Sequence, residues 1–341
     1  MKDKIHIVGA GPAGMVAGIN LKRQGFDVLI HEAEKEVGGP PGWHPSVHVD
    51  PIDYDVFEEY TGVDIRPAFK DVTDYMTYYY ENEERPFADF IGTIPNMQIC
   101  VRGPHPTSLD TYLYELAVKE GVEFLFNDKW GKEQFYAAPP NTIVSTGFGQ
   151  SAYEALGMRF TPFYGYWTRL DCPPEEVHIS IYQGSYTNEY GYSASMNGIW
   201  YSLLFAKGDI DTNILDKFAG ILKDKKGVTV KKWKRFTGTT ARFPKLYDGN
   251  LIFAGTASGF IDPAQGYGII SAMLGGKIAS VAVTDRDRAQ AEYDKFVEPV
   301  KKHVQLKFQP GYKSSIHYRM GQVWLDIPTI KPRVPDYLVK E

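Results

Sequence analysis

Ile5-His6-Ile7-Val8-Gly9-Ala10-Gly11-Pro12-Ala13-Gly14-Met15-Val16-Ala17-Gly18 decides the fold. Lys4 to Val8 predicts a short buried strand, Gly9 to Gly14 a turn, and Met15 to Gln24 a helix that stops near Gly25. A second strand follows over Asp27 to His31, so the chain starts as a βαβ unit. Residues Gly9 to Gly14 match the dinucleotide fingerprint, placed between a strand and a helix where that pattern has meaning. Gly9 makes the tight turn and Gly11 opens the backbone to a pyrophosphate. Pro12 and Ala13 complete the turn, Gly14 permits close helix packing, and the N-terminus of the helix that follows offers partial positive charge to the phosphates. Glu32 falls eighteen residues after Gly14, just past the second strand, where an acid can hold both ribose hydroxyls. An acid there disfavours a 2′-phosphate, so FAD or NAD fits better than NADP.

Working outward, Gly38, Gly39, Pro40, Pro41 and Gly42 break regular structure, and a loop is expected to run past His44 and His48 to a tyrosine-rich region ending near Pro86. Ser108 to Gly121 has helical spacing, with Ser108 or Asp110 available as the cap. Val122 to Phe126 and Asn141 to Thr146 read as short strands. From about Thr161 to Thr240 aromatic and small polar residues alternate, which predicts a mainly antiparallel sheet. Leu251 to Ala254 returns to the buried-strand pattern. Gly255-Thr256-Ala257-Ser258-Gly259-Phe260-Ile261-Asp262-Pro263-Ala264-Gln265-Gly266-Tyr267-Gly268 then opens a helix over Tyr267 to Val283. Such a turn can aim N–H groups and a positive helix end at the N1 and C2 edge of a flavin, where charge gathers on reduction, or it can simply pack on the first helix. A last helix is expected from about Arg288 to Lys307.

Composition bounds the reading. The 341 residues exceed one ordinary core, which predicts two domains. The expected division is a discontinuous dinucleotide domain over 1–160 and 245–285, a sheet domain for substrate over 161–244, and a helix and tail over 286–341 packed on the body. The class is α/β with α+β character: a Rossmann-like βαβ domain carrying an inserted antiparallel sheet. A net charge of -5 argues against nucleic acid as a partner. Cys100 and Cys172 are the only cysteines, giving neither a disulfide framework nor zinc spacing. No apolar stretch approaches the roughly 20 residues of a membrane span, and a soluble protein of a reducing cytoplasm is expected.

Taken together these segments resemble the FAD-dependent superfamily of aromatic hydroxylases and geranylgeranyl reductases, and the Gly259-Phe260-Ile261-Asp262-Pro263 to Gly266-Tyr267-Gly268 wording is nearest the reductase branch. The resemblance covers most of the chain in order. It implies FAD as cofactor, with Arg102, Gly147, Gly255, Thr256, Gly266, Tyr267 and Gly268 joining Gly9, Gly11, Pro12, Ala13, Gly14 and Glu32 around it. It also implies a substrate buried between the domains, with Tyr190 and Tyr192 matching part of the reductases' aromatic motif. Thr256 and Thr146 stand where that superfamily has acids, and Pro40 where the reductases often have Cys. Three activities remain open: a reductase or dehydrogenase acting on an apolar, prenyl-like or aromatic molecule, a flavin monooxygenase acting on an aromatic ring, and a flavin-binding electron carrier without turnover. The electron donor is left between NAD(P)H and a reduced carrier protein.

His44 and His48, with Asp50 and Asp53 near them, read first as surface or core histidines; the resemblance brings this loop to the flavin ring and so implies a proton-donor or substrate-contact role as the alternative, while no further ligand cluster completes a metal site. Lys223, Lys225, Lys226, Lys231, Lys232, Lys234 and Arg235 form the one basic cluster, read as a solvated hairpin edge or as a peripheral contact for an anionic membrane, NAD(P)H or an acidic donor. Tyr75, Tyr78, Tyr79 and Tyr80 are expected to line or cover the domain junction.

Overall fold

The computed structural model describes residues 4–39, 44–86, 97–184, 190–206, 209–261 and 268–307, without the side chains of 299, 300 and 302–307. In chain order the elements begin β1 (Ile5–Val8), α1 (Pro12–Arg23), β2 (Val28–His31), β3 (Ser46–Pro51), α2 (Tyr54–Thr61), β4 (Phe69–Asp71), β5 (Met76–Tyr80), β6 (Glu83–Arg85) and β7 (Met97–Arg102). They continue α3 (Leu109–Lys119), β8 (Glu123–Leu125), α4 (Lys132–Tyr136), β9 (Thr142–Val144), α5 (Gln150–Ala155), β10 (Phe160–Asp171), β11 (His178–Gln183), β12 (Gly191–Met196) and β13 (Ile199–Ala206). Then come α6 (Thr212–Lys226), β14 (Lys234–Ala241), β15 (Tyr247–Asp248), β16 (Leu251–Phe253), a 3₁₀ turn (Gly255–Ser258), α7 (Ile269–Ala282) and α8 (Arg286–Lys307).

Among the described residues the strands make three sheets. The first, β15-β16-β9-β1-β2-β8, is parallel except at its β15 edge. Its strands are short and apolar because helices cover them: α1 lies on α3 and α7, and nearly every α1 side chain is buried. The second sheet, β14-β10-β13-β12-β11-β5-β6, is antiparallel apart from the β5–β11 pair. The third, β3-β7-β4, is a small antiparallel sheet whose strands β3 and β7 touch β12 and β13.

Five expectations need correction. The second sheet is not confined to 161–244, because β5 and β6, from 76–85, form its edge. The region through His48 is not a loop: Ser46 to Pro51 is a strand, where Val47 and Val49 pack into the core of the large sheet. The stretch from 161 to 240 also contains α6, whose Leu215, Phe218, Ile221 and Leu222 recur at helical spacing and bury Tyr79, Tyr182 and Trp200 against the sheet. Lys223, Lys225 and Lys226 are therefore the last turn of a helix that ends at the left-handed Gly227, not a hairpin edge, and cations suit that end. The four tyrosines do not act together. Tyr75 is exposed, while Tyr78 and Tyr79 point to opposite faces of β5, since strand neighbours alternate.

The tail helix is tied down by polar contacts as well as apolar ones. The Glu292 carboxylate, buried on α8, accepts from Tyr60 Oη at 2.7 Å and from Arg288 Nε at 2.9 Å. No helix among the described residues is long and apolar enough to cross a membrane.

Candidate functional site

The turn after β1 is built by sterics. Gly9 has φ of +106° and donates its N–H to the His31 carbonyl. A methyl group at Gly14 would lie 2.2 Å from the Gly9 carbonyl oxygen and 2.6 Å from Ser145 Oγ, so only glycine lets α1 sit this close. At Gly11, the N-cap of α1, a methyl group would meet nothing within 4 Å. The backbone there forms an open cradle over the helix N-terminus, with Pro12 at the first helical position.

Glu32 reaches back into this turn. Its Oε2 accepts from Ala10 N at 2.7 Å and its Oε1 from Glu34 N at 2.9 Å. Burial pushes its pKa up while these amides pull against that, and each oxygen keeps a lone pair for a ribose hydroxyl. Thr146, at the end of β9, has a buried Oγ1 with no partner, and its Cα would be 3.2 Å from a methyl on Gly9. A buried hydroxyl left over beside the turn calls for an outside partner. The open cradle, the acid and this hydroxyl together fit a dinucleotide.

The late Gly-rich segment meets the first one in space. A methyl at Gly255 would lie 3.0 Å from Ala13 Cβ, and one at Gly276 would lie 2.2 Å from the Ala13 carbonyl oxygen. Thr256 is buried, and its carbonyl accepts from Tyr153 Oη at 3.2 Å. Gly147 has φ of +57° in the turn leading to α5, and Gly268 caps α7. Gly266 and Tyr267 lie outside the described residues.

Arg102 ends β7 and is held by Asp110 on α3 through two hydrogen bonds, Nε to Oδ2 at 2.7 Å and Nη2 to Oδ1 at 2.9 Å. Gly103 N adds a third bond to Oδ2 at 2.7 Å. Burial alone would raise the Asp110 pKa, but the Arg102 charge and these bonds hold it below the usual carboxylate range. One edge of the guanidinium stays available, since Asp110 uses only two of its five donors.

Beside Arg102 lies the Gly38–Gly39 turn. A methyl on Gly38 would strike Gly103 at 2.3 Å, and one on Gly39 would be 3.5 Å from His44 Cδ2. His44 is buried, and its Nδ1 is 2.9 Å from Ser46 Oγ, which is 2.7 Å from His48 Nε2. Burial first, then the Arg102 charge, lower the His44 pKa to about 4 and the His48 pKa to about 3, so both rings are neutral near pH 7. His48 also faces the rings of Tyr192 and Tyr201, at 6.3 and 6.4 Å between centroids. Tyr192 Oη donates to the Val47 carbonyl at 3.1 Å, and Tyr190 packs on Phe205 at 4.9 Å. Asp50 is buried on the same strand, whereas Asp53 is exposed and caps α2 through Val56 N. Sequence reading did not assign Ser46, Gln98, Cys100 or Asp110 to the site; for Ser46 the two-residue spacing with His44, His48 and Asp50 was the available signal.

Comparison with known proteins agrees with this fold. Residues 7–50 match the model of an NAD(P)-binding Rossmann-like domain. The chain is 23% identical over 324 residues to digeranylgeranylglycerophospholipid reductase of Methanocella arvoryzae, covering 84% of this chain and 78% of the relative. A flavin-containing monooxygenase of Arabidopsis thaliana is 41% identical, but over 51 residues only, and that match spans about a tenth (11%) of its length. A geranylgeranyl bacteriochlorophyll reductase-like protein of Thermoplasma acidophilum has the same fold at a TM-score of 0.64 and 17% identity, covering 99% of this chain and 91% of the other. A 2-methyl-3-hydroxypyridine-5-carboxylic acid oxygenase superposes at 0.59 and 15% identity, with 89% of each chain covered. With the fingerprint, the Gly-rich return to α1 and the sheet order already in place, the chain has the fold of the FAD-dependent aromatic hydroxylases and geranylgeranyl reductases and is similar over most of its length to a reductase of that kind.

Proposed function

We propose that this protein is a reductase or dehydrogenase of an apolar, prenyl-like or aromatic substrate. FAD, when bound, supplies hydride exchange at its N5. Gly11, Pro12 and Ala13 would receive the pyrophosphate, with Gly9 and Gly14 shaping the turn, and Glu32 would take the ribose. Arg102, Gly147, Gly255, Thr256, Gly266, Tyr267 and Gly268 would complete the cofactor site. The observation that carries the reading is the neutral, hydrogen-bonded pair His44 and His48 between Arg102 and an apolar, tyrosine-rich sheet face. A reductase needs a proton source and a dry surface together, because hydride addition to one carbon leaves the neighbouring carbon to be protonated. Tyr190 and Tyr192 on that face are proposed to touch the substrate. The extended match to a digeranylgeranylglycerophospholipid reductase supports a prenyl-like molecule in preference to other apolar ones.

The second reading, a flavin monooxygenase on an aromatic ring, is favoured by the fold shared with the pyridine-ring oxygenase. The electron donor is proposed to be NAD(P)H or a reduced carrier protein, and the lysines ending α6 are a candidate contact for an acidic donor or an anionic membrane. No nucleic-acid partner is proposed.

The test is an absorption spectrum of the purified chain, anaerobic reduction with dithionite, and mixing with a prenyl lipid or a quinone. Oxidation of the reduced protein by the lipid or quinone, with slow reoxidation in air, is expected. Rapid air oxidation stimulated by a phenol would replace this reading with the monooxygenase, and failure to bind added FAD would defeat both.

A further inference from the structure

The small sheet β3-β7 carries a row of polar side chains that no packing requirement explains. Residues alternate along a strand, so Ser46, His48 and Asp50 share one face of β3, and His44 continues the row beyond its start. Opposite them in register stand Arg102, Cys100 and Gln98 on β7. Val47 and Val49, on the other face, are in the apolar core of the large sheet. A buried strand in this position would be equally well served by apolar residues on both faces, and burying polar groups costs free energy unless each is partnered.

Three of the four groups in the row are joined. Ser46 has one hydroxyl proton, so it cannot donate to both rings; it accepts from one histidine and donates to the other. The Nε2 edge of His44 lies at the Gly38–Gly39 turn, 3.6 Å from where a methyl on Gly39 would be. The fourth group, Asp50, is 1% exposed, and its Oδ1 has no hydrogen-bond partner. Its Cβ is two residues from that of His48 on the same face, about 7 Å away, a span that one water molecule bridges. At the outer end Gln98, the register partner of Asp50, donates to Asp71 Oδ2 and accepts from Tyr54 Oη, both at 2.9 Å. Asp71 is exposed, so the outer end of the row lies next to solvent.

We propose that His44, Ser46, His48 and Asp50 form a proton relay, in which Asp50 is the neutral donor and the Gly38–Gly39 turn the delivery point. The proposal rests on the reading that the reaction takes place at that turn. In one passage the Asp50 carboxyl gives its proton through one water molecule to His48 Nδ1, His48 Nε2 gives one to Ser46 Oγ, and the Ser46 hydroxyl proton passes to His44 Nδ1. His44 Nε2 releases its proton at the turn. Only O–H and N–H bonds break and form, no electrons move, and Asp50 is left as a carboxylate. Arg102, which acts on Asp50 electrostatically across the face, favours that carboxylate, and solvent protons restore the acid through the Gln98 end. The groups facing the relay are Arg102 and Cys100 on β7, Asp110 on α3 and Arg169 on β10, and the Arg102 backbone carbonyl accepts from the His44 ring. Burial drives the Asp50 pKa well above the usual carboxylate range, the Arg102 charge pulling against it, in keeping with a neutral donor.

The experiment uses the FAD-loaded chain and its D50N, D50E and S46A variants, reduced photochemically without oxygen in weak buffer with a pH-indicator dye. Wild type is expected to take up protons promptly with a solvent deuterium isotope effect, and an infrared difference spectrum should contain a protonated-carboxyl band that D50N removes. D50N and S46A should slow proton uptake about tenfold or more with unchanged FAD content, as loss of a proton-transfer group does, and D50E should restore it. Wild-type uptake in D50N, or an Asp50 that is ionised, overturns the relay. If the chain binds no flavin, the functional reading falls by itself. The relay is then judged in the flavin-free chain by nitrogen NMR of labelled histidines: ring signals of both His44 and His48 that respond to D50N and S46A support it, and signals that do not respond overturn it.

Discussion

Asp110, fully buried at the start of α3, holds Arg102 at the end of β7 by a two-point ion pair, with Nε to Oδ2 at 2.7 Å and Nη2 to Oδ1 at 2.9 Å. This pair fixes a guanidinium beside the Gly38–Gly39 turn. Removing one partner leaves the other charge buried without compensation, at a cost of roughly 3–5 kcal/mol. D110A is therefore expected to lower the unfolding midpoint strongly. R102K should lose less stability, because a charge remains, but should lose FAD retention because the planar fork is gone. Thermal unfolding and flavin content of the two purified variants check this, and full FAD retention in R102K would remove Arg102 from the cofactor site.

Gly11 and Gly14 make a matched pair of tests. G14A forces a methyl to 2.2 Å from the Gly9 carbonyl oxygen, so α1 must shift and the protein should be destabilised with or without cofactor, by roughly 1–3 kcal/mol. G11A meets no atom of the chain within 4 Å, so the flavin-free fold should unfold as wild type does. Its methyl would instead occupy the cradle and lower FAD affinity. Urea unfolding of flavin-free protein, with flavin titration alongside, separates the two, and unchanged FAD affinity in G11A would deny the cradle its role.

Glu32 bonds two backbone amides of its own chain, Ala10 N and Glu34 N. E32A leaves both donors without a partner and removes the ribose acceptor, and each buried donor so stranded costs about 1–3 kcal/mol. Flavin content of purified E32A should fall at least tenfold in affinity terms, a loss of about 1.4 kcal/mol or more. Retention of the full complement would end the ribose assignment.

The pH dependence of stability follows from buried histidines. His178 on β11 is partly buried, its Nδ1 2.6 Å from Ser195 Oγ and 3.3 Å from Glu176 Oε1, and burial, with the Lys226 charge adding to it, lowers its pKa to about 4. A group whose folded pKa is depressed binds fewer protons folded than unfolded. Its contribution is whole above the ordinary histidine value near 6.5 and is lost as pH falls to about 4, up to roughly 3 kcal/mol over that window. H178N should thus flatten the fall of urea midpoint between pH 6.5 and 4 while lowering the midpoint at pH 7. An unchanged slope would mean that His178 is not buried in its neutral form.

The sequence by itself determined the βαβ start, the Gly-rich turn with Glu32 beyond it, a helix α3 capped at Ser108 or Asp110, and the sheet texture after Thr161. These are local: a turn that needs glycine, a strand of alternating residues or a helix with its cap is written in neighbouring positions. Tertiary structure decided what lies together. Gly255 and Gly276 meet Ala13 across more than 240 residues of chain, and no periodicity states that approach. β5 and β6 join a sheet whose other strands come after residue 160, because pairing depends on edges made by distant chain. The spacing of Leu215, Phe218, Ile221 and Leu222 was present in the sequence, but lysines and a neighbouring strand pattern masked α6 until the sheet gave its apolar face a partner. The row from His44 to Asp50 likewise became one face only when β7 placed Arg102, Cys100 and Gln98 opposite it, since register, not composition, sets which polar groups share a buried side.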